Sequence, residues 1–132
     1  MYVWAVFLGV LFLILAVVVC PLSLLRNWEE EFSKFAPTVR KLVYIGDKEA
    51  RNTMRSTILS SIASQTKKVP TLTPHPHDLH APQDDPLLDF DVMITSYEMV
   101  VLDKSFISRF KWRLLVVDEA HRLKNPQSVL YQ

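Results

Sequence analysis

The chain alternates between short apolar runs, which predict strands, and stretches whose apolar residues recur at helical spacing, which predict helices. The first helical stretch follows an apolar run that ends at Cys20. Ser23 is a candidate cap for this helix, and Pro37 ends it. Its large apolar residues are predicted to share one face: Leu24, Trp28, Phe32 and Phe35.

The same alternation continues to the end of the chain. Residues 41–46 predict a strand that a glycine stops, and residues 47–63 predict a helix capped by Asp47. Residues 64–86 hold five prolines and three histidines without a helical period, so they predict a surface loop or a disordered insert. Residues 92–96 and 112–118 predict two more strands, separated by a short helical stretch. A last helix is predicted after Asn125, with Pro126 at its first position.

This order predicts an α/β fold, in which a parallel sheet carries helices on both faces. Ligands of such sheets gather at the carboxyl ends of the strands. Three polar stretches are predicted to meet there: residues 21–23, 95–98 and 118–121.

Composition narrows the classes of function. The chain has 132 residues, which is enough for one small domain with a core, and its formal net charge is +1. Without a strongly basic field, any contact with DNA must be local. Cys20 is the only cysteine, so an internal disulfide and a cysteine-rich zinc site are both excluded.

The first 25 residues carry no charge, and residues 2–20 are almost wholly apolar. A run of that length satisfies the usual criterion for a membrane span, although it lacks the positive flank of a secretory signal. A strand buried on both faces also appears as a continuous apolar run. Both interpretations stay open on composition, and a span would leave the remainder of the chain in the cytosol.

The run Leu114–Val117 leads directly into Asp118 and Glu119. An aspartate at the tip of a buried strand can hold Mg²⁺, which prefers hard oxygen ligands. The glutamate beside it can polarise an attacking water, and His121 can link the site to a neighbouring segment. The simpler interpretation is a strand that ends in water. The whole string VVDEAHRLKN is too specific for that simpler interpretation.

VVDEAHRLKN resembles the DEAH-box motif of the SWI/SNF-like chromatin remodelers, which are helicase-like ATPases of superfamily two. Residues 20–37, CPLSLLRNWEEEFSKFAP, resemble motif Ia of that family with its following helix, and residues 94–99, ITSYEM, resemble motif Ib. Residues 44–51 and 110–125 are especially similar to the chromodomain-helicase-DNA-binding-protein-one-like type. The resemblance covers roughly residues 12–132, apart from the insert.

The resemblance implies part of the first of two RecA-like lobes, a nuclear protein, ATP and Mg²⁺ as cofactors, and duplex DNA and nucleosomes as partners. It implies that Asp118 coordinates Mg²⁺, that Asp118 and Glu119 belong to the nucleotide site, that Glu119 is the catalytic base, and that His121 couples this site to DNA. Motifs Ia and Ib imply seven residues that contact the DNA backbone: Pro21, Leu22, Ser23, Asn27, Thr95, Ser96 and Tyr97.

The chain also departs from the family pattern. Residues 1–19 contain neither lysine nor arginine, so the family's P-loop with its Gly-Lys-Thr/Ser end, and the strand before it, are missing, as is the second lobe with its arginine finger. We therefore expect an apolar segment at residues 1–19 and a partial helicase ATP-binding lobe at residues 20–132, interrupted by the insert at 64–86. Residues 12–15 resemble the strand that leads into motif Ia, and residues 16–19 look like extra length.

On this basis we expect no useful ATP hydrolysis by the chain alone. Two other functions stay open. One is a catalytically inactive remnant that binds DNA or a protein partner. The other is a degenerate lobe that residues 2–20 anchor in a membrane.

Overall fold

The computed structural model describes residues 15–66 and 88–119. The strands are β1 (Ala16–Cys20), β2 (Lys41–Tyr44), β3 (Val92–Ser96) and β4 (Leu114–Val117). The helices are α1 (Leu25–Phe35), α2 (Lys48–Thr66), α3 (Tyr97–Leu102) and α4 (Lys104–Ile107). A 3-10 turn, Leu22–Leu24, precedes α1.

The described strands form one parallel sheet in the order β2-β3-β1-β4. β1 therefore lies between β3 and β4, and all five of its residues are buried. The predicted α/β fold with a parallel sheet is confirmed. The prediction that residues 16–19 are extra length is wrong, because these residues are the interior strand itself. Their run of valines suits a strand that is covered on both faces.

Helices cover both faces of the sheet, as the alternation predicts. Alternate residues of β1 divide between two clusters. Val18 packs with Leu25 and Phe32 of α1, in what we call the α1-side cluster. Val17 and Val19 pack on the opposite side, where α2, α3 and α4 contribute Ile58, Tyr97, Phe106 and Ile107. Two apolar layers therefore hold the carboxyl ends of the strands in place.

The start and the inner face of α1 differ from the prediction. Ser23 lies exposed in the 3-10 turn, and the residue at the N-cap of α1 is Leu24, which makes no side-chain cap, so the predicted Ser23 cap is wrong. Phe35 is 42% exposed, whereas Ala36 is buried. The buried row follows the helical period through Leu25, Phe32 and Ala36, and Phe35 lies one position off that row.

The predicted cap of α2 is confirmed, because the Oδ1 atom of Asp47 accepts a hydrogen bond of 2.8 Å from the backbone N–H of Ala50. Gly46, directly before Asp47, has a φ of +138°, a conformation that suits glycine. A Cβ atom at Gly46 would also lie 3.0 Å from the Cβ atom of Ala50. The helix continues to Thr66, so residues 64–66 are helical rather than part of the predicted insert.

Three predictions lie partly or wholly outside the described residues. They are the remainder of the insert, the helix after Asn125, and the start of the apolar N-terminal run. Within residues 15–66 and 88–119, every helix is too short or too polar to cross a membrane. The membrane interpretation of residues 2–20 stays a prediction, since only the end of that run is described, as β1.

Candidate magnesium site at the carboxyl edge of the sheet

The three polar stretches begin at the same edge of the sheet. Cys20 at the end of β1 is in register with Ser96 at the end of β3. Val19 is in register with Val117, and the N–H of Asp118 continues the ladder with a 2.9 Å hydrogen bond to the carbonyl oxygen of Val19. The parallel register therefore brings Asp118 next to the polar stretch that follows β1, and β1 lies between it and the stretch at the end of β3.

Asp118 is half-buried, and hydrogen bonds fix both its side chain and its backbone. The indole Nε1–H of Trp28 donates to the Oδ2 atom of Asp118 at 2.9 Å. The backbone N–H of Glu119 donates to the Oδ1 atom at 2.8 Å. The hydroxyl of Tyr97 donates to the backbone carbonyl of Asp118. The carboxylate is thus held at one position, while each oxygen keeps further acceptor capacity.

Glu119 turns the chain away from the sheet directly after Asp118. It is exposed, and its φ of 52° lies in the left-handed region. Among residues 15–66 and 88–119, it is the only residue other than glycine with a positive φ. Such conformations are sparsely populated by non-glycine residues and cluster at functional sites, which agrees with a role for this turn.

A cavity of about 270 Å³ opens beside Asp118. Its lining residues come from the 3-10 turn, from α1 and from the end of β4: Leu24, Asn27, Trp28, Glu31 and Asp118. The half-buried carboxylate suits Mg²⁺, which takes carboxylate and water oxygens. None of these described lining residues is a lysine or an arginine, so they offer no cation to a phosphate group. The described residues fit the metal but not the phosphates.

The negative charge of Asp118 affects the thiol of Cys20, which is buried in the sheet. Burial and the negative charge of Asp118 together raise the pKa of Cys20 from 9.0 to about 11. The thiol of Cys20 donates a weak hydrogen bond to the carbonyl oxygen of Thr95, at 3.8 Å. Cys20 is therefore a neutral, buried thiol at neutral pH.

The residues predicted to contact DNA fall into two groups. Leu22, Ser23 and Asn27 are exposed at the edge, and Leu22 is 56% exposed. The other four are buried: Pro21, Thr95, Ser96 and Tyr97. The DNA-binding role of all seven stays a prediction.

Three of the buried residues use their hydroxyl groups inside the protein. Thr95 donates to the carbonyl oxygen of Tyr44 at 2.7 Å, and Ser96 caps α3 by accepting from the N–H of Met99 at 3.4 Å. Tyr97 donates to Asp118, as described above. These three hydroxyls organise the edge in this structure.

A family comparison agrees with this architecture. The model of the SNF2-related domain matches residues 15–132. The chain belongs to the SNF2-related family. The first residue of the match immediately precedes β1, which supports the assignment of that strand to the family fold.

The SNF2-related chain is similar to proteins that are much longer. It is 36% identical over 115 residues to the Chromodomain-helicase-DNA-binding protein 1-like of Danio rerio, and this match covers 87% of the chain and 9% of that protein. It is 38% identical over 116 residues to the CHD3-type chromatin-remodeling factor PICKLE of Arabidopsis thaliana, which covers 86% of the chain and 8% of that protein. The chain therefore spans less than a tenth of either relative.

The SNF2-related fold also matches a solved structure. The SWI2/SNF2 ATPase core of Sulfolobus solfataricus in complex with dsDNA aligns with a TM-score of 0.58 and 30% sequence identity. The alignment covers 90% of this chain and 18% of that core. The resemblance found in the sequence is confirmed at the level of family and fold.

Sequence reasoning placed Trp28 in the core of the SNF2-related domain and missed its polar contact. The ring does pack beside the α1-side cluster, and its N–H also reaches Asp118. These two residues are 90 positions apart, so no local pattern could have paired them. His121, which was predicted to couple the site to DNA, lies outside the described residues.

Sequence reasoning also missed a buried ionic cluster behind the site. Asp103, between α3 and α4, is 4% exposed. Its Oδ2 atom accepts from the hydroxyl of Tyr44 at 2.8 Å and from the Nε–H of Arg51 at 2.7 Å. Its Oδ1 atom accepts from Arg55 at 2.8 Å. The cluster joins β2 and α2 to the helices that follow β3.

Proposed function

We propose that this chain supplies the Mg²⁺-binding side of the nucleotide site in the first RecA-like lobe of a DNA-dependent ATPase that remodels chromatin in the nucleus. The observation that carries the proposal is the position of Asp118. It is a half-buried carboxylate that hydrogen bonds fix at the carboxyl end of β4, in a chain of the SNF2-related family.

Each residue of the motif has a separate role in this proposal. Asp118 would hold the Mg²⁺ ion, which neutralises the charge of the ATP phosphates when nucleotide is bound. Glu119, exposed at the turn, would orient and polarise the attacking water as the general base. His121 would couple the nucleotide site to the DNA-binding segments.

The phosphate side of the site would come from other residues. The 132 residues contain only two glycines, Gly9 and Gly46, and no Gly-Lys-Thr/Ser sequence. A P-loop binds phosphates through its backbone N–H groups and its lysine, and an arginine finger alone contributes a factor of about 10³–10⁵ in rate. We therefore expect these residues alone to bind the metal without turning over ATP.

Duplex DNA is the partner that this proposal implies, with nucleosomes as the larger substrate. Ser23 and Asn27 present neutral polar side chains at the exposed edge, beside Leu22. Such groups suit contacts to phosphate oxygens, which position DNA without reading its sequence. A similar fold, the SWI2/SNF2 ATPase core of Sulfolobus solfataricus, was solved in complex with dsDNA.

A second function is favoured by the absence of lysine and arginine among the described residues that line the cavity at Asp118. It is a catalytically inactive domain that binds DNA or a protein partner. It predicts DNA binding that is insensitive to metal and to the charge of Asp118. The first function predicts that a divalent metal binds at that carboxylate.

The deciding experiment is a titration of the 132-residue chain with Mn²⁺, a paramagnetic substitute for Mg²⁺, followed by electron paramagnetic resonance. We expect Asp118→Asn to weaken Mn²⁺ binding at least about tenfold, because it removes the charged ligand. Asp47→Asn is the matched control: it removes the same charge, and Asn also caps helices, so binding should stay unchanged. Equal Mn²⁺ affinity in wild type and Asp118→Asn would exclude the metal role.

A further inference from the structure

Two aromatic side chains reach Asp118 from opposite faces of the sheet. Trp28 belongs to α1 and packs beside the α1-side cluster. Tyr97 begins α3 and belongs to the buried cluster on the other face. The indole N–H donates to the side chain of Asp118, and the phenol O–H donates to its backbone carbonyl. The two contacts therefore control different parts of one residue.

Packing fixes both donors. The ring of Trp28 is half-buried, and its centroid lies 6.1 Å from that of Phe32, which is fully buried. Tyr97 is only 6% exposed. A ring that is held by its neighbours can direct its single polar hydrogen at one acceptor with little loss of entropy on bonding. The buried clusters thus hold both donors in place beside Asp118.

The hydrogen bonds leave a defined part of the carboxylate for a ligand. The Oδ2 atom accepts from Trp28 and the Oδ1 atom from the N–H of Glu119, so rotation of the carboxyl group would break at least one of them. A carboxylate oxygen has about two lone-pair directions, and one on each oxygen stays available. Partners of this kind orient metal-binding carboxylates and change their affinity for the ion.

We propose that Trp28 and Tyr97 are positioning residues for the metal-binding carboxylate of Asp118. Trp28 sets the direction of the side chain, and Tyr97 sets the position of the backbone. The proposal rests on the metal role proposed for Asp118. It assigns a function in the nucleotide site to the helices that follow β1 and β3, which carry Asn27 and Tyr97, two of the residues predicted to contact DNA.

The first test uses Trp28→Phe and Tyr97→Phe, which remove one N–H and one O–H and keep an aromatic ring. In a titration with Mn²⁺ alone, we expect each to weaken binding by about 10–100-fold. Trp112→Phe is the matched control, because Trp112 also donates its indole N–H, at 2.8 Å, but to the carbonyl oxygen of Ile107. Mn²⁺ affinity in Trp112→Phe should stay within about twofold of wild type.

The second test reads the contact itself by nuclear magnetic resonance. The indole N–H resonance of Trp28 is assigned in the wild type by triple-resonance experiments. We expect it to move in Asp118→Asn and on addition of Mg²⁺, while the resonance of Trp112 stays in place. This measurement needs only a folded wild type and Asp118→Asn, so it decides the role of Trp28 even where an aromatic variant fails to fold.

The outcomes separate the two proposals. Unchanged Mn²⁺ affinity in Asp118→Asn overturns the metal role and the positioning role together. Loss of Mn²⁺ binding in Asp118→Asn, with wild-type affinity in folded Trp28→Phe and Tyr97→Phe, overturns only the positioning role. An indole resonance of Trp28 that shifts neither in Asp118→Asn nor on addition of Mg²⁺ also overturns the positioning role of Trp28.

Discussion

Asp103 is a buried, charged residue that accepts hydrogen bonds from three side chains. Removing one partner of a buried ion pair leaves the other charge buried without compensation, at a cost of about 3–5 kcal/mol. Asp103→Asn keeps the size of the side chain and removes its charge, so Arg51, which is also buried, loses its ionic partner. We expect the free energy of unfolding to fall by about this amount, measured by urea denaturation.

The control for Asp103 is an exposed pair. Glu30→Ala removes the partner of Arg26 on α1, where both side chains are largely solvent-accessible. Exposed pairs of this kind contribute about 0.3–0.5 kcal/mol. An equal loss of stability in Asp103→Asn and Glu30→Ala would contradict the role given to the buried cluster.

Cys20 makes the stability of the chain depend on pH in the alkaline range. Its folded pKa of about 11 lies above the ordinary value of 9.0. A group with a raised folded pKa contributes stability that is complete below the unfolded pKa and is lost as the pH rises toward the folded pKa. We expect the free energy of unfolding to fall between pH 9 and 11 more steeply in wild type than in Cys20→Ala.

Urea denaturation of both proteins across that pH range measures the difference. Tyr44, whose pKa burial and the hydrogen bond to Asp103 raise to about 12, contributes in the same direction. It is present in both proteins, so the comparison isolates the thiol. Parallel curves for wild type and Cys20→Ala would show that the thiol ionises alike in the folded and unfolded chains.

At the scale of elements, α1 is attached to the sheet by one row of side chains. Phe32 is fully buried against β1 and β3, whereas Phe35 on the same helix is 42% exposed. Truncation of a buried phenylalanine costs about 3–5 kcal/mol, through lost burial and the cavity that remains. We therefore expect Phe32→Ala to lower the free energy of unfolding by about that amount.

Phe35→Ala is the control within the same helix, since it makes the same chemical change at a position off the buried row. Denaturation should show a loss of stability below about 1 kcal/mol. Comparable losses for Phe32→Ala and Phe35→Ala would mean that α1 packs with a different face from the one described.

At the scale of the whole molecule, the small net charge limits how DNA can be bound. The exposed edge residues Ser23 and Asn27 are neutral, and Arg26 lies exposed between them in sequence. Neutral contacts to phosphates release no counterions, whereas each arginine contact adds about one to the slope of log affinity against log salt. We expect Arg26→Ala to reduce that slope by about 1 and Asn27→Ala to weaken binding without changing it.

Fluorescence anisotropy with a labelled duplex, at several salt concentrations, measures both slopes. Lys34→Ala is a useful control, because Lys34 is exposed near the far end of α1 and should leave affinity and slope unchanged. DNA affinity that is identical in wild type, Arg26→Ala and Asn27→Ala would place the DNA surface elsewhere on the chain.

The sequence predicts the parts of this fold that depend on local patterns. The alternation of short apolar runs and helical stretches predicted the parallel sheet, and Asp47 as a cap predicted the start of α2. The interior position of β1 was not predictable, because a continuous apolar run does not reveal which strands flank it. The contact between Trp28 and Asp118 was missed for the same reason, since it arises only when distant segments pack together.

The interior position of β1 has a consequence during synthesis on the ribosome. Ala16 pairs with Val92 and with Leu114, so its partners follow by roughly 80 and 100 residues, which takes roughly 4 to 20 seconds at ordinary rates of translation. During that time β1 is an apolar strand with two unpaired edges, the kind of segment that aggregates. Among the elements that pack on β1, α1 emerges first, and it covers one of its two faces. Because the two edges of β1 are unpaired, we expect nascent chains stalled before residue 92 to bind chaperones and those released after residue 117 to lose them. Because α1 covers one face of β1, it also protects the unfinished protein.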